Sequence, residues 1–374
     1  MGYPPATRPS LRPAVERVHR GQAWATAASG RRVTSIGVSQ TMPCESLRVG
    51  VVGCGRMGRL HARTWAAMPG VRLVGVCDPI ETARAQVAAQ FGCEAFERPE
   101  ALVGRVDAVS VASTTSRRVE AVGPLLAAGV ACLIEKPLAA TVEECRRIGE
   151  MARSGGAVVQ VGHIERFNSA VMAAMALGLS PRFVEAVRLS PLPFRSLDVG
   201  VVMDVMIHDI DIVLSLVGVP AGRVDAIGAA VVGDSEDLCS ARVEFEGGAA
   251  AMFNASRLSH RVERRLRIYA PDAFVTVDYH KRTAQVVRRS PAVEALRAAV
   301  AEVRAGRADP SSFDFARLAP LEDLPVDGSA DALRLQAESF TRAVRRQTPP
   351  AVGIDDATRA VELATRISAA ARKR

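Results

Sequence analysis

The hexapeptide GCGRMG, residues 53–58, constrains this chain more than any other stretch. It follows the apolar run LRVGVVG and opens RMGRLHARTWAAM, whose spacing predicts a helix. Gly53, Gly55 and Gly58 fall in GxGxxG spacing, and Asp78 closes the next predicted strand, VRLVGVCD. A bare glycine triplet says little. Strand, triplet, helix, strand and acid in this order specify a βαβ unit that holds a dinucleotide. Gly53 permits the tight turn, Gly55 lets backbone approach a pyrophosphate, and Gly58 lets the helix close on its strand. The helix N-terminus, with Arg56 and Met57 in its first turn, attracts the anion. Asp78 would accept hydrogen bonds from the adenosine ribose and repel a 2′-phosphate, so NAD is expected over NADP. A glycine-rich turn without a ligand is the alternative.

Downstream, ETARAQVAAQFG, RRVEAVGPLLAAG and VEECRRIGEMARSGG read as helices between the strands VDAVSVAS, VACLIE and AVVQVG, with Thr141 and Glu144 as a capping box. Alternation of this kind implies a doubly wound parallel sheet over residues 46–164. After about residue 165 the pattern changes to strand-like segments joined by short turns, including Gly247–Gly248, and to two closing helices near Asp331–Arg345 and Asp355–Ala371. Residues 165–374 are expected to form an α+β domain with a mostly antiparallel sheet covered on one face by helices.

Residues 1–45 lack this order. They are rich in Pro, Arg, Ser, Thr and Ala, and carry six Arg against two acidic residues, half of the net charge of +8. They read as a disordered extension or as sequence upstream of the true start, with Met42 the expected start. The remaining charge is of mixed sign, and aromatics are 4% of the chain, so nucleic-acid binding is not expected. No apolar run is long enough to cross a membrane. The seven cysteines are scattered, with no CxxC pair, which argues for reduced thiols in the cytoplasm and against a disulfide framework.

Three lysines stand against 45 arginines. One, Lys136, lies in CLIEKPLAA between Glu135 and Pro137, at the carboxyl edge of the predicted sheet, where such folds bind ligands. Lysine can lose its proton under desolvation and arginine cannot, so a role in proton chemistry explains the choice. A plain surface lysine is the alternative. In VVMDVMIHDIDIVLSLVG, Asp204, His208, Asp211 and Ser215 form one polar stripe on an otherwise apolar helix. His208 suits a general base, with Asp204 one turn earlier to orient it. A solvated stripe or a metal site are the alternatives, and no further ligand cluster supports a metal. In GHIERFNSA, His163, Arg166 and Asn168 sit where the chain leaves the first domain, as cofactor or substrate contacts or as a polar loop anchored by Phe167.

Taken together, GCGRMGRLHAR, EKP and the DxxxHxxD of Asp204, His208 and Asp211 resemble the Gfo/Idh/MocA family of nicotinamide-dependent sugar and cyclitol oxidoreductases, over about residues 46–374. The resemblance implies a Rossmann domain followed by an open-faced sheet domain that builds oligomers, here a homodimer or homotetramer. It implies catalytic roles for Lys136, Asp204 and His208, and places Ser113, Thr114, Glu135 and His163 at the cofactor. More narrowly, VGHIERFN, RLSP, MIHDID and ASRLS are similar to the branch that oxidises the 3-hydroxyl of UDP-N-acetylglucosamine, whose ketone a transaminase then aminates. In that reading Arg166, Arg188, Arg195 and Arg257 are candidates for the diphosphate or sugar, because guanidinium forks suit phosphate oxygens. A cyclitol or free-sugar dehydrogenase, a keto-sugar reductase, an NAD-dependent glycosidase and a cofactor-sensing module are the alternatives. One departure stands out. The family reads TPTSxH after its fourth strand, and this chain reads STTSRR, with Thr114 for the proline and Arg118 for the histidine.

Overall fold

The computed structural model describes residues 46–192, 199–289 and 291–372. The N-terminal extension and Arg195 lie outside the described residues.

The first sheet is built from β1 (Leu47–Val52), β2 (Val71–Cys77), β3 (Glu94–Phe96), β4 (Ala108–Val111), β5 (Ala131–Glu135) and β6 (Val159–Gly162). Its order is β3-β2-β1-β4-β5-β6 and every pair is parallel, so the chain is wound outward in both directions from β1. Helices α1 (Arg56–Ala66), α2 (Glu81–Phe91), α3 (Arg118–Ala127) and α4 (Val142–Gly155) make the crossovers. The strands are apolar on both faces because both faces are covered, and Val49, Val51, Val109, Ile134 and Val161 are fully buried. The edge strand β3 has three residues, too short for a sequence pattern. At α4 the Thr141 hydroxyl accepts from the Glu144 amide, while the Glu144 carboxylate reaches back to the Ala140 amide rather than to that of Thr141.

A short helix, α5 (Ser169–Met175), leads into the second sheet: β7 (Phe183–Leu189), then α6 (Ile207–Val217), β8 (Ala221–Ala229), β9 (Leu238–Phe245), β10 (Ala250–Ser256), β11 (Glu263–Tyr269), β12 (Ala273–Asp278) and β13 (Thr283–Arg288). Helices α7 (Pro291–Arg304) and α8 (Phe315–Leu318) precede the two-residue β14 (Glu322–Asp323). The order is β14-β13-β12-β11-β7-β10-β9-β8, antiparallel except where β7 pairs with β10. Alternation decides which face is covered. Val184, Ala251, Phe253, Leu266, Ile268 and Val275 point to the helices and are fully buried, while Met252, Asn254, Glu185, Arg267 and Thr276 on the other face are only half-buried.

The chain ends with α9 (Ala332–Val344) and α10 (Ile354–Arg372). Both return to the first sheet. Phe340 of α9 meets Trp65 of α1 edge to face at 6.3 Å, and the Val161 amide of β6 donates to the carbonyl of Val352, just before α10.

Candidate active site

The turn after β1 is the cradle that its glycines imply. Gly53 has φ +94°, and a Cβ there would lie 2.6 Å from the Ala112 carbonyl. A Cβ on Gly58 would overlap the Gly53 carbonyl, so α1 closes on the turn only with glycine at that place. Gly55 differs. A Cβ there would meet nothing of the protein within 4 Å, so the bare backbone at Gly55 faces open space, as close approach of a pyrophosphate requires. Exposed Arg56 and half-buried Met57 begin the helix beside it.

Asp78 leaves the end of β2 and accepts the amide of Cys54 on Oδ2 at 2.7 Å and that of Ile80 on Oδ1 at 2.9 Å. It thereby ties the glycine turn to β2. With Val52, Gly53, Arg98, Ser113, Thr114 and Arg117 it lines a cleft of about 590 Å³ along the carboxyl ends of β1, β2 and β4. The Ser113 hydroxyl is buried with no partner, a donor left for a ligand. These residues fit a dinucleotide.

Lys136 follows β5 and His163 follows β6. Glu135 pairs with Gly162 in the ladder, so the two side chains emerge as neighbours at the same sheet edge. The Lys136–Pro137 peptide is cis. The Lys136 ammonium donates to the backbone carbonyl of Asp204 at 2.6 Å and lies 3.2 Å from Asp204 Oδ1, both side chains retaining some exposure. Behind the lysine, Glu135 Oε1 and His61 Nε2 meet at 2.9 Å, both buried. Burial alone would raise the Glu135 carboxyl, but the hydrogen bond from His61, with Arg118 and Lys136 nearby, holds it below its ordinary value.

The stripe on the Asp–His–Asp segment faces this edge, with one change of register. Val202–Met206 is a π turn that runs into α6. The wider turn moves Asp204 out of step with His208, and Asp204 takes Lys136 instead. His208 makes no hydrogen bond to Asp204, and its Nδ1 is buried without a partner. This corrects the expectation that Asp204 orients the imidazole. Burial, followed by the positive charges of Lys136 and Arg188, holds His208 well below 6.5, its ordinary value. The imidazole is neutral at physiological pH and able to take a proton.

Asp211, one turn on, accepts Arg166 in a two-pronged pair, Nε to Oδ2 at 2.6 Å and Nη2 to Oδ1 at 2.9 Å, and Arg166 also reaches the Ser215 hydroxyl. His163 Nδ1 lies 3.8 Å from Asp211 Oδ2, and neither of its nitrogens makes a hydrogen bond. Burial lowers the His163 pKa despite the nearby carboxylate. Asn168 caps α5 by accepting the Ala170 amide, and donates to the Tyr279 carbonyl.

The other described candidate arginines, Arg188 and Arg257, are held by carboxylates of this chain. Arg188 donates to both oxygens of Asp209, at 2.9 and 2.8 Å, and to Glu165 at 2.7 Å, with its guanidinium over the Tyr279 ring. Arg257 donates to Asp237 at 2.7 Å and to the Val199 carbonyl at 2.8 Å. Asp237, which also accepts the amides of Val231 and Val232, is drawn down to about 2. Burial opposes that shift, and these amides with Arg257 outweigh it. Asp209 and Glu165 have no signature in the sequence, because neither falls on the i, i+4 stripe. His61 carries none either, although it closes the stretch GCGRMGRLH. Among the described residues no cluster of His, Cys, Asp and Glu could hold a metal ion, and no helix is long and apolar enough to cross a membrane.

A dinucleotide cradle beside a lysine and a neutral histidine equips a nicotinamide-dependent dehydrogenase. Residues 47–163 match the model of the Gfo/Idh/MocA oxidoreductase family with its NAD-binding Rossmann fold, and residues 183–275 match that family's C-terminal domain. The chain is 39% identical over 244 residues to a UDP-N-acetylglucosamine 3-dehydrogenase from Acidithiobacillus ferrooxidans, covering 65% of this chain and 77% of that one. A solved structure of the enzyme of that name from the same organism superposes with a TM-score of 0.76 at 32% identity, over 87% of this chain and 98% of that one. An inositol 2-dehydrogenase from Rhizobium meliloti is 25% identical over 85% of this chain and 95% of its own length. The chain belongs to the Gfo/Idh/MocA family and is an NAD-dependent dehydrogenase.

Proposed function

We propose that this enzyme oxidises a hydroxyl of a nucleotide-activated amino sugar to a ketone, namely the 3-hydroxyl of UDP-N-acetylglucosamine. The observation that carries the reading is the 39% identity to a dehydrogenase of that name over most of its length. Gly53, Gly55, Gly58, Asp78, Ser113 and Thr114 would hold the cofactor, with Arg56, Met57, Glu135 and His163 around it. Bound NAD supplies the hydride acceptor. His208, kept neutral by burial and by Lys136 and Arg188, takes the hydroxyl proton. Lys136 donates a hydrogen bond to the same oxygen and stabilises its developing negative charge. Asp204 holds the ammonium in place through its carbonyl and carboxylate.

Arg166, Arg188 and Arg257, in this reading, shape the substrate wall through Asp211, Asp209 and Asp237 and do not grip the diphosphate themselves. Asn168 positions the loop that carries Arg166. We further propose a domain division at residues 164–165, cytoplasmic residence, and a homodimer or homotetramer formed on the open face of the second sheet. Among the described residues six cysteines are free, which supports the compartment. The cluster of Phe183, Tyr269 and Phe274, with ring centroids 5.5 and 4.7 Å apart, supports the face.

NADH absorbance during steady turnover of purified enzyme tests the substrate. UDP-N-acetylglucosamine is expected to react and myo-inositol to react poorly. The reverse order moves the assignment to a cyclitol dehydrogenase. Product formation without accumulating NADH moves it to a glycosidase that reoxidises its own cofactor.

A further inference from the structure

Arg118, the residue that replaces the family's histidine after β4, is 2% exposed. It starts α3, where the helix dipole disfavours a cation. Burial lowers its guanidinium to about 10, with the Glu135 carboxylate pulling the other way. Among the described residues no carboxylate hydrogen-bonds to it. Three backbone carbonyls receive it instead. Nη1 donates to Glu135 and, at 3.5 Å, to Val111, and Nη2 donates to Ser113 at 3.0 Å. A buried cation held this way is a poor source of stability, so its use lies in what it connects.

The ladder between β4 and β5 ends at Val111 and Ile134. Beyond that point β4 runs into the Ser113–Thr114 wall of the cofactor cleft and β5 into Lys136. Arg118 bridges the two strands after their own hydrogen bonds have stopped. The Glu135 carbonyl belongs to the peptide unit whose nitrogen is that of Lys136, so fixing this oxygen fixes the plane from which the lysine departs. His61 pins the Glu135 side chain from the other side at 2.9 Å. A planar guanidinium presents donors from separate nitrogens in a fixed fork that spans carbonyls of two strands, a geometry the single nitrogen of an ammonium does not match.

We propose that Arg118 is the positioning residue of Lys136: it locks the Glu135–Lys136 peptide to the end of β4 and so sets where the ammonium meets the substrate oxygen. The inference rests on the catalytic reading of Lys136, and its test separates the two. Arg118→Met is expected to lower kcat about 30-fold, within the roughly hundredfold that a misplacement of the order of 1 Å at a reacting group can cost. Its Kd for NAD, measured by fluorescence titration, should stay within about threefold, because the cradle around Gly55 and Asp78 is untouched and Arg118 reaches the cleft wall only at the Ser113 backbone carbonyl. A crystal structure of the variant should show the Lys136 Nζ moved away from Asp204. In a Lys136→Met background the Arg118 substitution should cost nothing more, within about twofold, because its effect passes through the lysine.

Wild-type kcat in Arg118→Met overturns the inference, as does a Kd for NAD that rises in step with the fall in kcat, or a multiplicative loss in the double variant. Should Arg118→Met fail to fold, Arg118→Lys keeps the charge and loses the fork: a partial loss of kcat in that variant supports the inference, and full kcat overturns it. Near-normal turnover in Lys136→Met alone would instead sink the catalytic reading of the lysine.

Discussion

Two groups of charges face each other across the start of α6, and they are built on opposite plans. Arg188 with Asp209 and Glu165, and Arg166 with Asp211, are closed: each fork meets both oxygens of a carboxylate, and the pairs are buried or nearly so. Lys136, Asp204 and His208 are open. The ammonium has one backbone carbonyl and a longer carboxylate contact, and Nδ1 of the imidazole is buried with no hydrogen bond. In a closed set each charge is already matched by its partner within the chain. An open set, held under-satisfied, keeps capacity for a ligand. Both sets pair a basic side chain with an aspartate, so how completely each charge is met, as well as residue type, separates scaffold from chemistry.

The strongest way to break this comparison is to exchange one member of each set. Lys136→Met is expected to lower kcat by about a thousandfold, within the span seen for general acid–base and polarising groups. Its affinity for NAD should hold, and its melting temperature should fall less than that of an Arg188 variant, since Lys136 and Asp204 both keep some exposure while Arg188 and Asp209 are buried. Arg188→Met should do the opposite. It leaves Asp209 and Glu165 as uncompensated charges, and removal of one partner from such a buried set costs about 3–5 kcal/mol. Urea titration would measure that loss. An Arg188→Met protein of full stability with turnover as low as Lys136→Met would reverse the assignment and make Arg188 a substrate contact.

Asp78 joins the two plans in one side chain, since it closes the glycine turn through Cys54 while facing the cleft. Asp78→Asn keeps one oxygen for the Cys54 amide, gives up the acceptor for the Ile80 amide and removes the charge. The ratio of kcat/KM for NAD over NADP is expected to fall by about tenfold, which corresponds to about 1.4 kcal/mol of lost discrimination. An unchanged ratio would mean that shape, and not the carboxylate, excludes the 2′-phosphate.

The first domain was legible because local signals and topology agree there. GCGRMG, the alternation of strands and helices, and Asp78 at a strand end each require the parallel order that is found. The second domain was legible as a class, through two-residue alternation and Gly247–Gly248, while its strand order depends on pairings between distant segments, such as β7 with β10, that no local pattern encodes. At the site, Lys136 was visible by its rarity and His208 by the apolar helix around it. What stayed hidden was partnership. Whether Arg188 would meet a phosphate or Asp209 depends on a contact between β7 and α6. The π turn that gives Asp204 to Lys136 has no signature in VVMDVM. Arg118 was visible as a departure, but its three carbonyl partners come from two strands and the loop between β4 and α3.

The smallest expected effect concerns protons. Burial and the cations around it hold His208 well below 6.5, and burial lowers His163 as well. In the unfolded chain both imidazoles titrate near 6.5, while in the folded one they stay neutral to lower pH. Below 6.5 the unfolded state therefore binds more protons, so stability falls as pH falls through the window between the ordinary value and the depressed ones. Activity should follow the folded value: the acidic limb of kcat/KM is expected below 6.5, because His208 must be unprotonated to accept the substrate's proton. In Lys136→Gln the largest of the neighbouring cations is gone, and the limb should move up toward 6.5. A limb that stays in place in that variant would assign the titration to burial and the remaining cations, Arg188 among them, and loosen the electrostatic link between the two open residues. His208→Asn should remove part of the acid-side loss of stability and leave the part that belongs to His163, whose place beside Asp211 the closed set maintains.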